Sequence, residues 1–124
     1  MRIFTTYFSK VSRLPAGIVP VSISLWPPRG WTGCAMPSLA PSKSILTEYK
    51  NNPDWPRYVD RFQSEILARR DPAQILAQLQ QLTGGRDAAL VCFEREPAQC
   101  HRSLVAQWLS ANGAGEIKEW QPGM

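Results

Sequence analysis

The chain is predicted to fold as an α/β protein, a three-layer sandwich around a small and mostly parallel sheet. Short β-branched and aromatic runs alternate with segments of helical period. The run Ala88–Glu94 is almost wholly apolar up to its last residue, as expected of a strand covered by helices on both faces. At 124 residues, with 44% hydrophobic and 19% charged side chains, the chain has the size and usage of one globular domain, residues 1–124. Strand order is not legible from such signals.

Arg2-Ile3-Phe4-Thr5-Thr6-Tyr7-Phe8 is expected to form the first strand and Ser9–Pro15 a loop. Ile18–Ser24 alternates Val19, Val21 and Ile23 on one face, although Pro20 removes a ladder donor. Pro20 must therefore begin the paired part of that strand or turn its nitrogen away from a neighbour. Residues 25–41 are rich in Pro, Gly and Ser and carry Trp26, Arg29 and Trp31. A loop of that length points to a lid or binding segment, or to an irregular crossover pinned by its tryptophans.

Ser42 is a suitable N-cap for a helix over Lys43–Lys50, ended by Asn51-Asn52-Pro53. A helix over Pro56–Arg69 places Tyr58, Phe62 and Ile66 at i+4 spacing, and another runs from Asp71-Pro72 to Gly84-Gly85 through Ile75, Leu79 and Leu82. After the strand at 88–94, a helix from Cys100 to Asn112 carries Leu104, Val105, Trp108 and Leu109 and stops at Gly113. Ile117–Trp120 is a short last strand, and residues 121–124 are expected to form a disordered tail.

Composition narrows the function classes. No run reaches the roughly 18 apolar residues of a membrane span, and Lys10 and Arg13 interrupt any signal-peptide core, so the expected location is the cytoplasm, with no membrane partner. Three cysteines, Cys34, Cys92 and Cys100, cannot all pair, and free thiols are expected. The net charge of +4 is concentrated in residues 1–50, which hold six basic side chains and one acidic one. That imbalance suits phosphate or nucleic acid, and equally a solvated surface.

The junction at 92–102 is the candidate site, because ligands of parallel α/β sheets dock at strand carboxyl ends and at the helix starts that follow. Glu94 stands where the strand emerges, as a general base or as an acceptor for loop amides. Cys100, His101 and Arg102 fall in the first turn of the next helix, where free N–H groups and the dipole favour an anion and would lower a thiol pKa. Read functionally, Cys100 is a nucleophile, His101 and Glu94 move protons and Arg102 binds an anion. Read structurally, Cys100 is buried, His101 bonds a carbonyl and Arg102 pairs with Glu94 or Glu96. Cys92 reads as core.

Neighbouring helical residues diverge by about 100°, so Cys100 and His101 are expected to form neither a dyad nor a chelate. No Cys-x-x-Cys, His-x-x-x-His, Gly-x-Gly-x-x-Gly or Walker-type pattern occurs, so no metal and no cofactor is expected.

Leu90-Val91-Cys92-Phe93-Glu94, Cys100-His101-Arg102 and Val105-Ala106-Gln107-Trp108-Leu109, with Ser22-Ile23-Ser24, Leu39-Ala40-Pro41-Ser42 and Tyr49-Lys50 upstream, resemble the bacterial, archaeal and phage family of domain of unknown function 488. The resemblance implies a small Rossmann-like α/β domain with a functional Cys-His-Arg turn and a place in nucleotide or nucleic-acid metabolism. Many members carry a Gly-His-Ser-like end on the first strand and an Asp-Val-Arg-like end on the second. Here those places hold Tyr7-Phe8-Ser9 and Ser22-Ile23-Ser24.

Together these readings lead to an enzyme acting on a phosphate-bearing small molecule or nucleic acid. Arg102 would hold the anion, and Trp26 and Trp31 would stack on a base around Arg29. The alternatives are a non-catalytic nucleic-acid or protein-binding module with a structural Cys-His-Arg turn, and a redox-sensing thiol at Cys100. Oligomeric state is not legible.

Overall fold

A computed structural model describes residues 1–124. Five strands, β1 (Ile3–Tyr7), β2 (Ile18–Ser22), β3 (Cys34–Ala35), β4 (Asp87–Cys92) and β5 (Lys118–Glu119), form one sheet in the order β3-β2-β4-β1-β5. Every neighbouring pair is parallel. The helices are α1 (Lys43–Asn51), α2 (Trp55–Arg61), α3 (Pro72–Thr83) and α4 (His101–Leu109). The α/β sandwich expected from the sequence is therefore present.

Its two faces differ. Parallel strands need crossovers, and crossovers are right-handed, so connections that step across the sheet in the same direction land on the same face. The steps from β3 to β4 and from β4 to β5 run in one direction, and helices α1 to α4 accordingly share one core. That core joins Ile45, Tyr58, Ile75, Leu79, Leu104, Val105 and Leu109 to Ile3, Val21, Leu90 and Cys92 of the sheet. The step from β1 to β2 runs the other way. Its connection is only the 3-10 segment Phe8–Arg13, where the sequence suggested a loop. Phe8, Val11 and Leu14 pack there, with Trp120, over Phe4, Ile18, Ala89 and Val91. The layer on this second face is a short turn and a tryptophan rather than a helix.

Local chemistry explains most boundaries. The Ser42 hydroxyl accepts from the Ile45 N–H, Asp54 from Arg57 and Asp71 from Ala73, which caps α1, α2 and α3. Gly84 ends α3 at φ 64°, the left-handed conformation that glycine reaches without a Cβ penalty. The single helix expected over Pro56–Arg69 is instead α2, which starts one residue earlier, followed by a π-type turn (Phe62–Ile66) and a 3-10 turn (Leu67–Arg69). The Ser64 hydroxyl donates back to the Asp60 carbonyl at 2.8 Å, a side-chain bond that competes with the helical ladder.

Pro20 lies inside β2 opposite Ala89. The Ser22 carbonyl accepts from Met36 on the β3 side, so Pro20, two residues earlier, points to that side before β3 has begun at the level of Val21. Its missing N–H therefore meets no partner strand. The long segment 25–41 is not structureless, because it contributes β3 and the turn Pro37–Leu39. No helix is long and apolar enough to cross a membrane.

Candidate functional site

β4 delivers Cys92 to the carboxyl edge of the sheet, and the chain then loops through Phe93–Gln99 and returns at Cys100 to start α4. Cys100 is the N-cap residue, with φ −130° and ψ 143°, and is not part of the helical turn. The expected divergence of Cys100 from His101 therefore does not occur. An extended residue followed by a helical one can bring both side chains to the same place, and Cys100 Sγ lies 3.9 Å from His101 Nδ1. Cys92, read from the sequence as core, is buried and also part of this group. One ligand-type atom from each of Cys92, Cys100 and His101 falls within 4.8 Å of the others.

The expectation of three free thiols is corrected. Cys92 and Cys100 are paired as a disulfide, because the return of the chain brings the start of α4 beneath the end of β4. Cys34 remains free.

His101 is buried, and its Nε2 lies 2.7 Å from the Ile23 carbonyl at the end of β2. Burial holds its pKa down to about 4, against the opposing pull of that carbonyl, and the charge of Arg102 lowers it further. The ring is neutral near pH 7. A carbonyl can only accept, so Nε2 carries the proton and donates it to Ile23. The lone pair is thereby fixed on Nδ1, the nitrogen that faces the sulfur.

Arg102 takes the opposite course. Its side chain is 0% exposed, and all of its donors have partners. Nε donates to Glu119 Oε1 at 3.0 Å, and one terminal nitrogen donates to Cys92 Sγ at 3.2 Å and to the Glu94 carbonyl. The other donates to Glu119 Oε2 at 2.9 Å and to the Arg95 carbonyl at 3.1 Å. Thr5 donates to the same Glu119 at 2.7 Å. A guanidinium has five N–H groups, so none is left for an external anion. The anion cup expected at this turn is not formed by Arg102, and its carboxylate partner is Glu119 rather than Glu94 or Glu96.

Above the cysteines and His101 opens a pocket of about 200 Å³. Trp26, Tyr49, Trp55, Tyr58 and Phe93 supply aromatic surface, and Ser24, Glu94 and Gln99 supply polar groups. Trp55 stacks on Tyr58 with 5.0 Å between ring centroids, Tyr58 on Phe62 at 6.1 Å, and Phe62 lies 5.5 Å from the His101 ring. Burial raises the Tyr58 pKa, as does the nearby Glu94 charge, so its phenol stays protonated.

The expected ligand-binding residues separate. Trp26 is 60% exposed and lines the pocket. Trp31 turns away, packing edge-on to Phe8 at 5.2 Å and donating its indole N–H to the Cys34 carbonyl. Arg29 is exposed and outside the pocket wall. Sequence reading missed the aromatic residues of α1 and α2, Tyr49, Trp55 and Tyr58. Their spacing read only as a buried helix face, and the available signal was the density of rings between residues 49 and 58.

A parallel α/β domain with a pocket at its strand carboxyl edge and a buried Cys-His cluster at the pocket floor is the class of protein defined here. The family model described as the active DUF488-N3 subclade matches residues 6–113, and the chain belongs to the DUF488 family. No match was found among curated proteins or among solved structures.

Proposed function

We propose that the protein is an enzyme that takes the base of a nucleotide or nucleic acid into the aromatic pocket above Cys92, Cys100 and His101. One observation carries this reading. Five aromatic side chains and a carboxylate converge over a buried cluster of reactive side chains, the combination that holds a flat, hydrogen-bonding ring against chemically active groups. Glu94 is the group placed to move protons, since its carboxylate is exposed at the pocket wall. Trp26 offers a stacking face, and Arg29, three residues on in sequence and exposed, is the cation we assign to a phosphate that stays outside the pocket. The matching family model's description as active is in keeping with an enzyme. The occupied guanidinium of Arg102 moves recognition from phosphate to base.

The test compares ligands by thermal shift and tryptophan fluorescence. Nucleosides, nucleotides and short oligonucleotides are expected to raise the melting temperature, and inorganic phosphate alone is not. Trp26→Ala is expected to weaken nucleoside binding roughly tenfold without loss of fold, the scale of one base–aromatic stack. No response to any base-bearing ligand would remove the proposal. Binding without turnover, in reactions that vary the base and follow products by mass spectrometry, would favour the non-catalytic binding module, for which the internal saturation of Arg102 also speaks.

A further inference from the structure

We infer that Cys92, Cys100 and His101 in their reduced form constitute a zinc-binding site, with the fourth coordination position opening into the aromatic pocket. The site stands on its own donor geometry and deepens the proposed function, which would then act through a metal-bearing pocket floor.

Four observations converge on one cluster of side chains. The three donor atoms lie within 4.8 Å of one another, the reach of a single ion. The Ile23 carbonyl holds the Nε2 proton of His101 at 2.7 Å and so presents a lone pair from Nδ1, the backbone-anchored tautomer that metal-ligating histidines use. Arg102 donates to Cys92 Sγ at 3.2 Å, a bond that stabilises a thiolate and orients it. The Cα atoms of the two cysteines stand 7.6 Å apart, wider than the roughly 4.4–6.8 Å that disulfides usually span, so an ion between the sulfurs suits this backbone.

A disulfide alone would leave the histidine lone pair and the arginine donor without a common purpose. An ion gives both one. Two thiolates, an imidazole and no carboxylate form a soft donor set that selects zinc over magnesium or calcium. The charges also close. Two thiolates neutralise a divalent ion, and Arg102 is already balanced by Glu119. Three protein ligands leave one tetrahedral position, the arrangement of zinc sites that hold a water or substrate atom rather than of closed structural sites. Glu94 stands on the wall of the same pocket, where a carboxylate can accept a proton from such a water.

Reaching the metal-bound form from the disulfide requires two electrons and two protons from a thiol or phosphine reductant. That step breaks the S–S bond and gives two thiols, each of which then releases its proton as it ligates. The experiment starts from full-length protein reduced with a phosphine under argon. Elemental analysis after zinc addition and desalting is expected to give about one ion per chain. Cobalt(II) in place of zinc is expected to produce the visible bands of a tetrahedral site and a sulfur-to-cobalt charge-transfer band. Cys34→Ser should leave both unchanged, Cys92→Ser and Cys100→Ser should abolish the charge-transfer intensity or reduce it, and His101→Gln should shift the visible bands.

Where a ligand variant fails to fold, alkylation of the wild type decides, with peptide mapping by mass spectrometry. Zinc should protect Cys92 and Cys100 from iodoacetamide while Cys34 reacts. Reduced wild type that takes up neither metal, a metal retained in all three ligand variants, or equal alkylation with and without zinc would each overturn the site. Nucleoside binding in protein that holds no zinc would break the metal site alone. Zinc uptake without any nucleoside response would break the proposed function alone.

Discussion

His101 and Arg102 are adjacent in sequence and fasten the same helix end to opposite sides of β4, yet they are built on opposite principles. His101 reaches β2 through one bond to Ile23 and keeps a lone pair unused beside two sulfurs. Arg102 reaches β5 through Glu119 and has no donor unused. Both are buried, so burial does not separate them. The difference lies in what remains after internal partners are counted: nothing for the arginine, and one directed donor pair for the histidine. Residual hydrogen-bonding or ligating capacity, rather than position in the motif, marks the half of the Cys-His-Arg turn available for chemistry.

The comparison is broken most forcefully at Arg102. Arg102→Met removes a buried cation, leaves the Glu119 carboxylate with Thr5 as its one remaining side-chain donor, and takes the guanidinium from two backbone carbonyls and Cys92, so a loss of about 3–5 kcal/mol is expected from urea unfolding. Pairing it with Glu119→Leu should return part of that loss, because the desolvated carboxylate is then gone as well. If Arg102→Met leaves stability unchanged and alters ligand binding instead, the two residues have been assigned the wrong way round.

A smaller effect is expected from acid on the histidine side. The folded pKa of His101, near 4, lies below the ordinary value of about 6.5, so the unfolded chain binds the extra proton first. The stability this contributes is complete above pH 6.5 and is lost as pH falls toward 4, amounting to roughly 2–3 kcal/mol by pH 4.5. His101→Gln can still donate an amide N–H to Ile23 but does not titrate. Chelator-treated His101→Gln should therefore show a flatter stability profile between pH 6.5 and 4.5 than wild type, measured by urea unfolding at fixed ionic strength. Parallel profiles would mean that the imidazole is not held neutral by burial.

The sequence carried the fold well where a single element determines its own pattern. The caps Ser42 and Asp71 and the stop at Gly84 are local signals and stand where expected, and the apolar run of β4 is a strand too, although it ends at Cys92 rather than at Glu94. Properties that need two elements were less legible. Helices gathered onto one face because of the strand order, which residue periodicity does not encode. At the site, alternation placed Cys92 inside the strand but could not bring it to Cys100, since the loop that closes the gap has no period to read. Arg102 was misread for a related reason. A helix start attracts anions in general, and only Glu119, seventeen residues later on β5, turns this guanidinium inward.

The finest version of the contrast lies one strand away, in two adjacent threonines of β1. Thr5 donates to Glu119 and so belongs to the Arg102 network, whereas the Thr6 hydroxyl is buried with no partner. Valine has nearly the shape of threonine, so replacing each in turn removes a hydroxyl with little change in packing. Thr5→Val should cost about 1 kcal/mol, the net worth of one hydrogen bond, with a further small penalty from a Glu119 oxygen left to Arg102 alone. Thr6→Val should cost nothing, or stabilise by up to about 1 kcal/mol, because an unsatisfied buried hydroxyl carries a desolvation penalty that valine lacks. Equal losses in the two variants would show that Thr6 has a partner during folding or in the bound state, and would extend the polar network from Glu119 through the sheet rather than ending it at Thr5.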